Sequence, residues 1–251
     1  MNRTIIITGA TSGFGEACAR KFAAGGDHLI ITGRRKDRLE SLQRELGNKV
    51  RVLPLVFDVR ERKAVFDAVS GIPESWRKID ILINNAGLAL GRDYFDQADI
   101  DDWETMIDTN VMGLLYMSRA VLPLMIPSGR GHIINLGSVA GKDVYEKGNA
   151  YCGSKFAVDA LSRSMRIDLL RHGIKVTAIH PGAAETEFSI VRFKGDETQA
   201  KKIYQGFTPL SADDVADVIH YCASLPPHVC INDLVLTPIA QADGIYFHKK
   251  P

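Results

Sequence analysis

Tyr151 and Lys155 stand one helical turn apart, so on a helix they share a face. A phenol with an ordinary pKa of about 10 is a poor base at neutral pH. An adjacent ammonium favours its phenolate, which makes the pair a general acid–base unit. Ser138 ends an apolar run shortly before it and adds a hydroxyl that can steady charge on a substrate oxygen. On an arbitrary helix a Tyr-x-x-x-Lys pair is packing plus solvation. Here it belongs to a chain that opens with a glycine-rich turn.

That turn, Thr8-Gly9-Ala10-Thr11-Ser12-Gly13-Phe14-Gly15, closes the first apolar run and leads into a helical pattern. Glycines at 9, 13 and 15 permit positive φ and bring backbone N–H groups against a pyrophosphate at a helix N-terminus. Gly9, Thr11, Ser12, Gly13, Phe14 and Gly15 are therefore expected to hold a dinucleotide. The second apolar run ends in Thr32-Gly33-Arg34-Arg35, where an NAD-binding chain carries an acid for the ribose 2′-hydroxyl. Two guanidinium groups instead match a 2′-phosphate, which favours NADP(H) over NAD. The plainer reading is that Arg34, Arg35 and Lys36 form a solvated helix start, although cations there oppose the helix dipole and so invite an anion.

The elements that must position these groups follow from the hydrophobic pattern. Apolar runs at Thr4–Thr8, Leu29–Thr32, Val50–Phe57, Ile79–Ile83, His132–Leu136, Val176–Ile179 and Leu234–Leu236 alternate with amphipathic stretches. Most are continuous rather than alternating, as strands covered on both faces are. The expectation is an α/β fold: a single Rossmann-type doubly wound parallel sheet of about seven strands flanked by helices, one domain over 1–251. Helices are expected to open at Gly13–Gly15 and to span Lys36–Leu46, Asp101–Met125 and Asn149–Arg171, the last with Ala157, Leu161, Met165 and Leu169 on one face. Asp58-Val59, Asn84-Asn85-Ala86-Gly87 and Gly137-Ser138 then fall at carboxyl ends of strands, the edge where such sheets bind ligands. Gly182–Leu210 breaks the rhythm and reads as a lid.

Composition narrows the field. Thirty-one Lys+Arg against 30 Asp+Glu lack the basic excess of nucleic-acid or membrane-surface proteins. No apolar run reaches membrane-spanning length. Cys18, Cys152, Cys222 and Cys230 form no C-x-x-C pair and read as small packing residues of a soluble, cytoplasmic protein, Cys152 included although it adjoins Tyr151. The histidines show no metal-binding spacing, so no metal is expected.

Taken in order, Thr8-Gly9-x-x-x-Gly13-x-Gly15, Asn84-Asn85-Ala86-Gly87, Asn110, Ser138, Tyr151-x-x-x-Lys155 and Pro181-Gly182 resemble the short-chain dehydrogenase/reductase superfamily. The resemblance implies catalysis by Ser138, Tyr151 and Lys155, with Asn110 holding a water in a proton relay to Lys155. It implies that Asp58 and Val59 meet the adenine, that Asn85, Ala86 and Gly87 line the cofactor cleft, and that the turn from Pro181 and Gly182 to Thr186 meets the nicotinamide amide. A homotetramer or homodimer is implied as well. Two stretches, Asp102–Asn110 and Thr186–Asp196, are similar to the NADP-dependent 3-hydroxy acid dehydrogenases of this superfamily. That branch acts on serine, allo-threonine, 3-hydroxyisobutyrate and 3-hydroxypropionate, and in reverse on malonic semialdehyde. The turn Gly182-Ala183-Ala184-Glu185-Thr186 is shorter and poorer in glycine than in some bacterial members, which bears on substrate preference.

A carboxylate substrate needs a cation near Ser138 and Tyr151, and Lys142, Arg192 and Lys194 are the candidates, each also readable as a surface charge. Phe188, Ile190, Val191, Phe193 and Phe207 in the lid leave two other readings open, a broad carbonyl or 3-oxoacyl thioester reductase and simple anchoring of the lid. A regulator that binds the dinucleotide without turnover is opposed by the intact Asn110, Ser138, Tyr151 and Lys155 set. The tail Gln241–Pro251, with Tyr246 and Phe247, is expected to cross to a neighbouring subunit.

Overall fold

Apolar triplets build the centre of a seven-stranded sheet. Its strands are β1 (Thr4–Ile7), β2 (His28–Gly33), β3 (Val52–Val56), β4 (Ile81–Asn84), β5 (Gly131–Leu136), β6 (Ile174–Pro181) and β7 (Asp233–Leu236). All pairs are parallel and the order is β3-β2-β1-β4-β5-β6-β7. Within each triplet the side chains alternate between two cores. Ile5, Ile7, Leu29, Ile31, Ile81 and Ile83 join one apolar cluster, and Ile6, Ile30 and Leu82 join the other. Burial on both faces is why the runs are continuous. The computed structural model describes residues 2–250, so the two ends of the domain expected over 1–251 lie outside the described residues.

The helices are α1 (Gly13–Ala24), α2 (Lys36–Leu46), α3 (Arg62–Ser70), α4 (Ile100–Ile107), α5 (Gly113–Met125), α6 (Asn149–Leu169), α7 (Glu187–Arg192), α8 (Glu197–Lys202) and α9 (Ala212–Ser224). Phe22, Leu39, Leu42, Val215 and Ile219 place α1, α2 and α9 on one face of the sheet. Val65, Val69, Met117, Val121, Met125 and Leu169 place α3, α5 and α6 on the other.

Several boundaries differ from the expectation. Ile79 is 1% exposed yet precedes β4, and Val50 precedes β3, because burial and strand pairing are separate properties. The helix expected over Asp101–Met125 is part of a 29-residue helical stretch, Ile100–Ser128, broken by a π-helical turn at Asp108–Met112. By length and composition this stretch could cross a membrane, which counting unbroken apolar runs misses. In the fold Leu114, Met117, Val121 and Met125 are buried against the sheet, while 33% of the most apolar window is buried in all. In α6, Ala157 and Leu161 are only half-buried, and the fully covered face carries Tyr151, Ser154, Lys155, Val158 and Ser162.

From β1 the chain winds outward to β3 and then returns to place β4 on the other side of β1. That reversal opens a crevice at the carboxyl ends of β1 and β4, the place where doubly wound sheets take ligands.

Candidate active site

The glycine turn after β1 builds one wall of the crevice. Gly9 and Gly13 have φ of +65° and +53°, the region glycine enters without strain. A Cβ on Gly9 would lie 3.0 Å from Ala86 Cα, so the turn can press against the end of β4 only as glycine. Asn85 ties the two together, donating from Nδ2 to the Thr8 carbonyl at 2.8 Å. Gly15, expected to face the cofactor, instead packs the start of α1 against this turn, where a Cβ would overlap the Gly9 carbonyl and Asn85 Nδ2. Ser12 is the N-cap of α1, yet its side chain does not cap the helix. It accepts from Arg35 Nη2 at 2.7 Å. The 12-residue helix thus presents an end without a side-chain cap to the cleft, which suits a pyrophosphate.

The cleft, about 280 Å³, is lined by Gly9, Thr11, Ser12, Gly13, Phe14, Arg34, Arg35, Asp58, Val59, Asn85, Ala86, Gly87, Tyr151, Lys155 and Thr186. Arg34 is exposed and 3.5 Å from Asp58, whose carboxylate also takes Arg60 at 2.8 Å. Burial opposes ionisation of Asp58, but its bonds from Arg60 hold the carboxyl below the ordinary range. Arg35 is engaged by Thr11, Ser12 and Glu187, the last at 2.9 Å, and Glu187 also takes Arg38 at 2.6 Å. Arg34, Arg35 and Arg38 thus gather at one corner of the cleft, where an anion, here the Glu187 carboxylate, is already held.

Tyr151 and Lys155 project from the first turns of α6 into the floor of the cleft, and both are buried. Lys155 Nζ donates to the Leu136 carbonyl at 2.9 Å and lies 5.9 Å from the Tyr151 ring centre. Burial lowers its pKa to about 8. Burial pushes the Tyr151 phenol up, the neighbouring Tyr145 adds to this, and the Ser138 hydroxyl and Arg192 oppose it. In the protein alone the phenol is therefore a proton donor, and the ammonium expected to acidify it is itself weakened. Ser138 follows β5 with extended backbone, and its Oγ accepts from the Ala140 N–H at 3.1 Å.

Asn110 sits in the π-helical turn, a feature that often marks functional sites. It is buried, donates to the Leu88 carbonyl at 2.8 Å and to Ser154 Oγ at 3.0 Å, and accepts from the Leu88 N–H. Its oxygen lies beside Gly87, where a Cβ would be 3.2 Å from it and 3.5 Å from Lys155 Nζ. The side chain thus braces the segment after β4 next to the ammonium.

A second cavity of about 450 Å³ joins the cleft at Phe14, Gly137, Tyr151, Thr186 and Phe188. Ser138, Pro181, Gly182 and Arg192 line it, so Pro181 and Gly182 face this side rather than the main cleft. Arg192 is 8% exposed. It donates to the Tyr145 hydroxyl at 3.1 Å and the Gly91 carbonyl at 3.4 Å, and no carboxylate among the described residues pairs with it. Lys142, the other candidate for a substrate carboxylate, lines neither cavity. Its ammonium is held by Asp159 at 2.9 Å and Asp233 at 2.5 Å, because the turn after Ser138 directs it toward α6 and β7. Lys194 is likewise taken by Asp102 at 2.8 Å. Asp159, Asp233 and His180 are grouped closely enough to hold a metal ion, but the Lys142 ammonium already bridges the two carboxylates.

The expected lid is a loop pinched shut at its neck, where the Glu185 N–H donates to Leu210 and the Leu210 N–H to Ala183. Helices α7 and α8 form its body. Phe188 packs 5.7 Å from the Tyr151 ring. The tail, expected to reach another subunit, folds onto its own lid as far as residue 250. Phe247 packs on Phe207, the Lys250 N–H donates to Gly206, and Gln241 Oε1 accepts from Ala183. Tyr145 and Lys249 thus line the second cavity without having been singled out in the sequence, as do Gln241 and Phe247, which the sequence pointed to a neighbouring subunit instead. Only the aromatic residues of the tail carried a signal that could have found them.

Residues 3–197 match the short chain dehydrogenase family, and the chain belongs to it. It is 47% identical to an NADP-dependent 3-hydroxy acid dehydrogenase, YdfG, of Salmonella typhi, over 98% of this chain and 99% of that protein. It is 48% identical to a sulfoacetaldehyde reductase 2 of Chromohalobacter salexigens, over 96% of each. Among solved structures, the closed form of a serine dehydrogenase complexed with NADP+ superposes with a TM-score of 0.92 at 46% identity, covering 98% of this chain and all of that one.

Proposed function

We propose that the protein is an NADP-dependent dehydrogenase of small 3-hydroxy acids, working reversibly between the 3-hydroxyl and the 3-oxo group. The observation that carries the substrate class is Arg192, a buried guanidinium without an acidic partner in the cavity that Tyr151 and Ser138 share. Leaving a buried cation unpaired is costly unless a ligand completes it, and a carboxylate is the natural complement. The relatives' printed substrates support this, since 3-hydroxy acids, serine and sulfoacetaldehyde each carry an anionic group close to the reacting carbon.

Bound NADP supplies the acceptor for the hydride leaving the carbinol carbon, and its 2′-phosphate suits Arg34 and Arg35. The protein's residues do the rest. Arg192 fixes the carboxylate and so the direction from which the carbinol meets Tyr151. Ser138 donates to the substrate oxygen, and Tyr151 takes the hydroxyl proton in oxidation and returns it in reduction. Lys155 steadies the phenolate that accepts this proton in oxidation and remains once the proton is given up in reduction. Phe188, over the Tyr151 ring, keeps bulk water from the proton path.

An absorbance assay with NADPH tests the reading on malonic semialdehyde, sulfoacetaldehyde, an acetoacetyl thioester and an uncharged ketone. The short anionic aldehydes should have kcat/KM at least about a hundredfold above the ketone. Preference for the thioester or the ketone would replace this reading with that of a general carbonyl or 3-oxoacyl reductase. We further propose a homotetramer or homodimer in the cytoplasm. Exposed Ile167 and Leu170 on and beside α6 support assembly, and four free cysteines suit a reducing compartment. A monomer in sedimentation would exclude the assembly.

A further inference from the structure

His180 is fully buried at the end of β6, one residue before Pro181, and the chemistry above does not use it. Its Nδ1 lies 3.2 Å from the Ser138 carbonyl oxygen. Its ring fills the space beside Gly137, where a Cβ would overlap Nδ1, so the residue preceding Ser138 is glycine to admit it. The other nitrogen is differently placed. Nε2 is 3.1 Å from Asp233 Oδ1 on β7 and 3.6 Å from Asp159 Oδ1 on α6, but out of line for a hydrogen bond, and it has no partner.

The charges facing the ring are Asp159, Asp233 and Lys142, with Arg163 on the far oxygen of Asp159 at 2.8 Å. Burial first, then the Lys142 ammonium, hold the imidazole below its ordinary pKa. A neutral ring has one N–H to give, and the aligned acceptor is the Ser138 carbonyl. That carbonyl also accepts from the Gly141 N–H at 2.8 Å. Two donors converging on one oxygen fix the plane of the peptide that follows the Ser138 Cα, and with it the direction of the side chain.

We propose that His180 is a positioning residue for the hydroxy acid reaction, its Nδ1–H holding the Ser138 carbonyl so that the Ser138 hydroxyl faces Tyr151 and the substrate oxygen. The inference rests on Ser138 acting in turnover as described above. It also explains why Lys142 stands where it does, since that ammonium neutralises the two carboxylates behind the ring.

The test compares His180→Asn, His180→Gln and His180→Phe. Asn places an amide N–H near Nδ1, Gln places it near Nε2, and Phe keeps a ring without a donor. At saturating NADPH and aldehyde, Gln and Phe should lower kcat by about tenfold or more, while Asn stays within about threefold of the wild type. The NADPH dissociation constant, read by fluorescence, should stay within about twofold in all three. Equal losses in Asn and Gln would overturn the proposal, as would a Phe variant with wild-type kcat. If Phe does not fold, the Asn–Gln pair decides alone. Wild-type turnover and its loss in Tyr151→Phe report separately on the proposed function, so its failure is distinguishable from that of His180.

Discussion

The Arg192 guanidinium sits over the Tyr151 ring, 5.4 Å from its centre, although one residue comes from a lid helix and the other from α6. One cation therefore does two jobs. In the function proposed above it holds the substrate anion, and its charge opposes the rise that burial imposes on the phenol.

Arg192→Met should accordingly damage both binding and proton transfer. KM for a 3-hydroxy acid is expected to rise by about thirtyfold or more, the worth of a charge-assisted pair, while KM for an uncharged alcohol changes little. The pH dependence of oxidation should also move to higher pH, because a phenol deprived of a nearby cation ionises later. Arg192→Lys is expected to restore little, lacking the planar fork that reaches Tyr145 and the substrate together. Equal KM changes for charged and uncharged substrates would remove the anion-binding role.

Glu187 occupies the cationic corner prepared for the cofactor, pairing with Arg35 and Arg38 from the first turn of α7. A dianionic phosphate can displace it and a ribose hydroxyl cannot. Glu187→Gln should therefore tighten NADP binding by about fivefold, as expected for two half-exposed ion pairs, and leave NAD binding unchanged. Titration calorimetry on both cofactors checks this, and a parallel gain for NAD would show that Glu187 does not compete with the phosphate.

Lys155 gives stability a pH dependence of definite sign. Its folded pKa of about 8 lies below the ordinary 10.5, so between those values the unfolded chain holds a proton that the folded chain has released. Wild-type stability relative to Lys155→Met should thus rise with pH across that window, by roughly 3 kcal/mol in full. Tyr151 is common to both proteins and cancels. Urea unfolding at neutral pH and near pH 10 measures the difference, and parallel stabilities would place the Lys155 pKa at its ordinary value.

The sheet was legible because seven apolar runs are buried on both faces, and the face of α6 that meets the cleft because Tyr151 and Lys155, the proposed acid–base pair, carry their chemistry in their types. Hydropathy could not find that face by itself, since its buried positions include Ser154, Lys155 and Ser162, which no apolar stripe marks. The cationic corner of the cleft was legible in Arg34 and Arg35, but not its internal counter-ion Glu187, which lies 152 residues from Arg35. Gly15 has the same spacing signature whether it faces a phosphate or packs a helix. Only the fold separates the two.

Lys142 shows the same limit for charge, and its true partners make a prediction. Beside Ser138 in sequence it looks like an anion ligand, yet Asp159 and Asp233 claim it. Lys142→Met should leave KM for the hydroxy acid within about twofold, in contrast to Arg192→Met. It should instead destabilise the fold by about 1–3 kcal/mol, because it leaves two partly buried carboxylates without their shared cation. Burial opposes ionisation of Asp159, but Lys142 and Arg163 hold its carboxyl below the ordinary range, so their contribution is complete above about pH 4 and fades as pH falls through the folded value. The stability gap between wild type and Lys142→Met, measured by denaturant unfolding, should therefore narrow in acid. A gap that persists undiminished at pH well below 4, or a KM that rises with the stability intact, would return Lys142 to the substrate site.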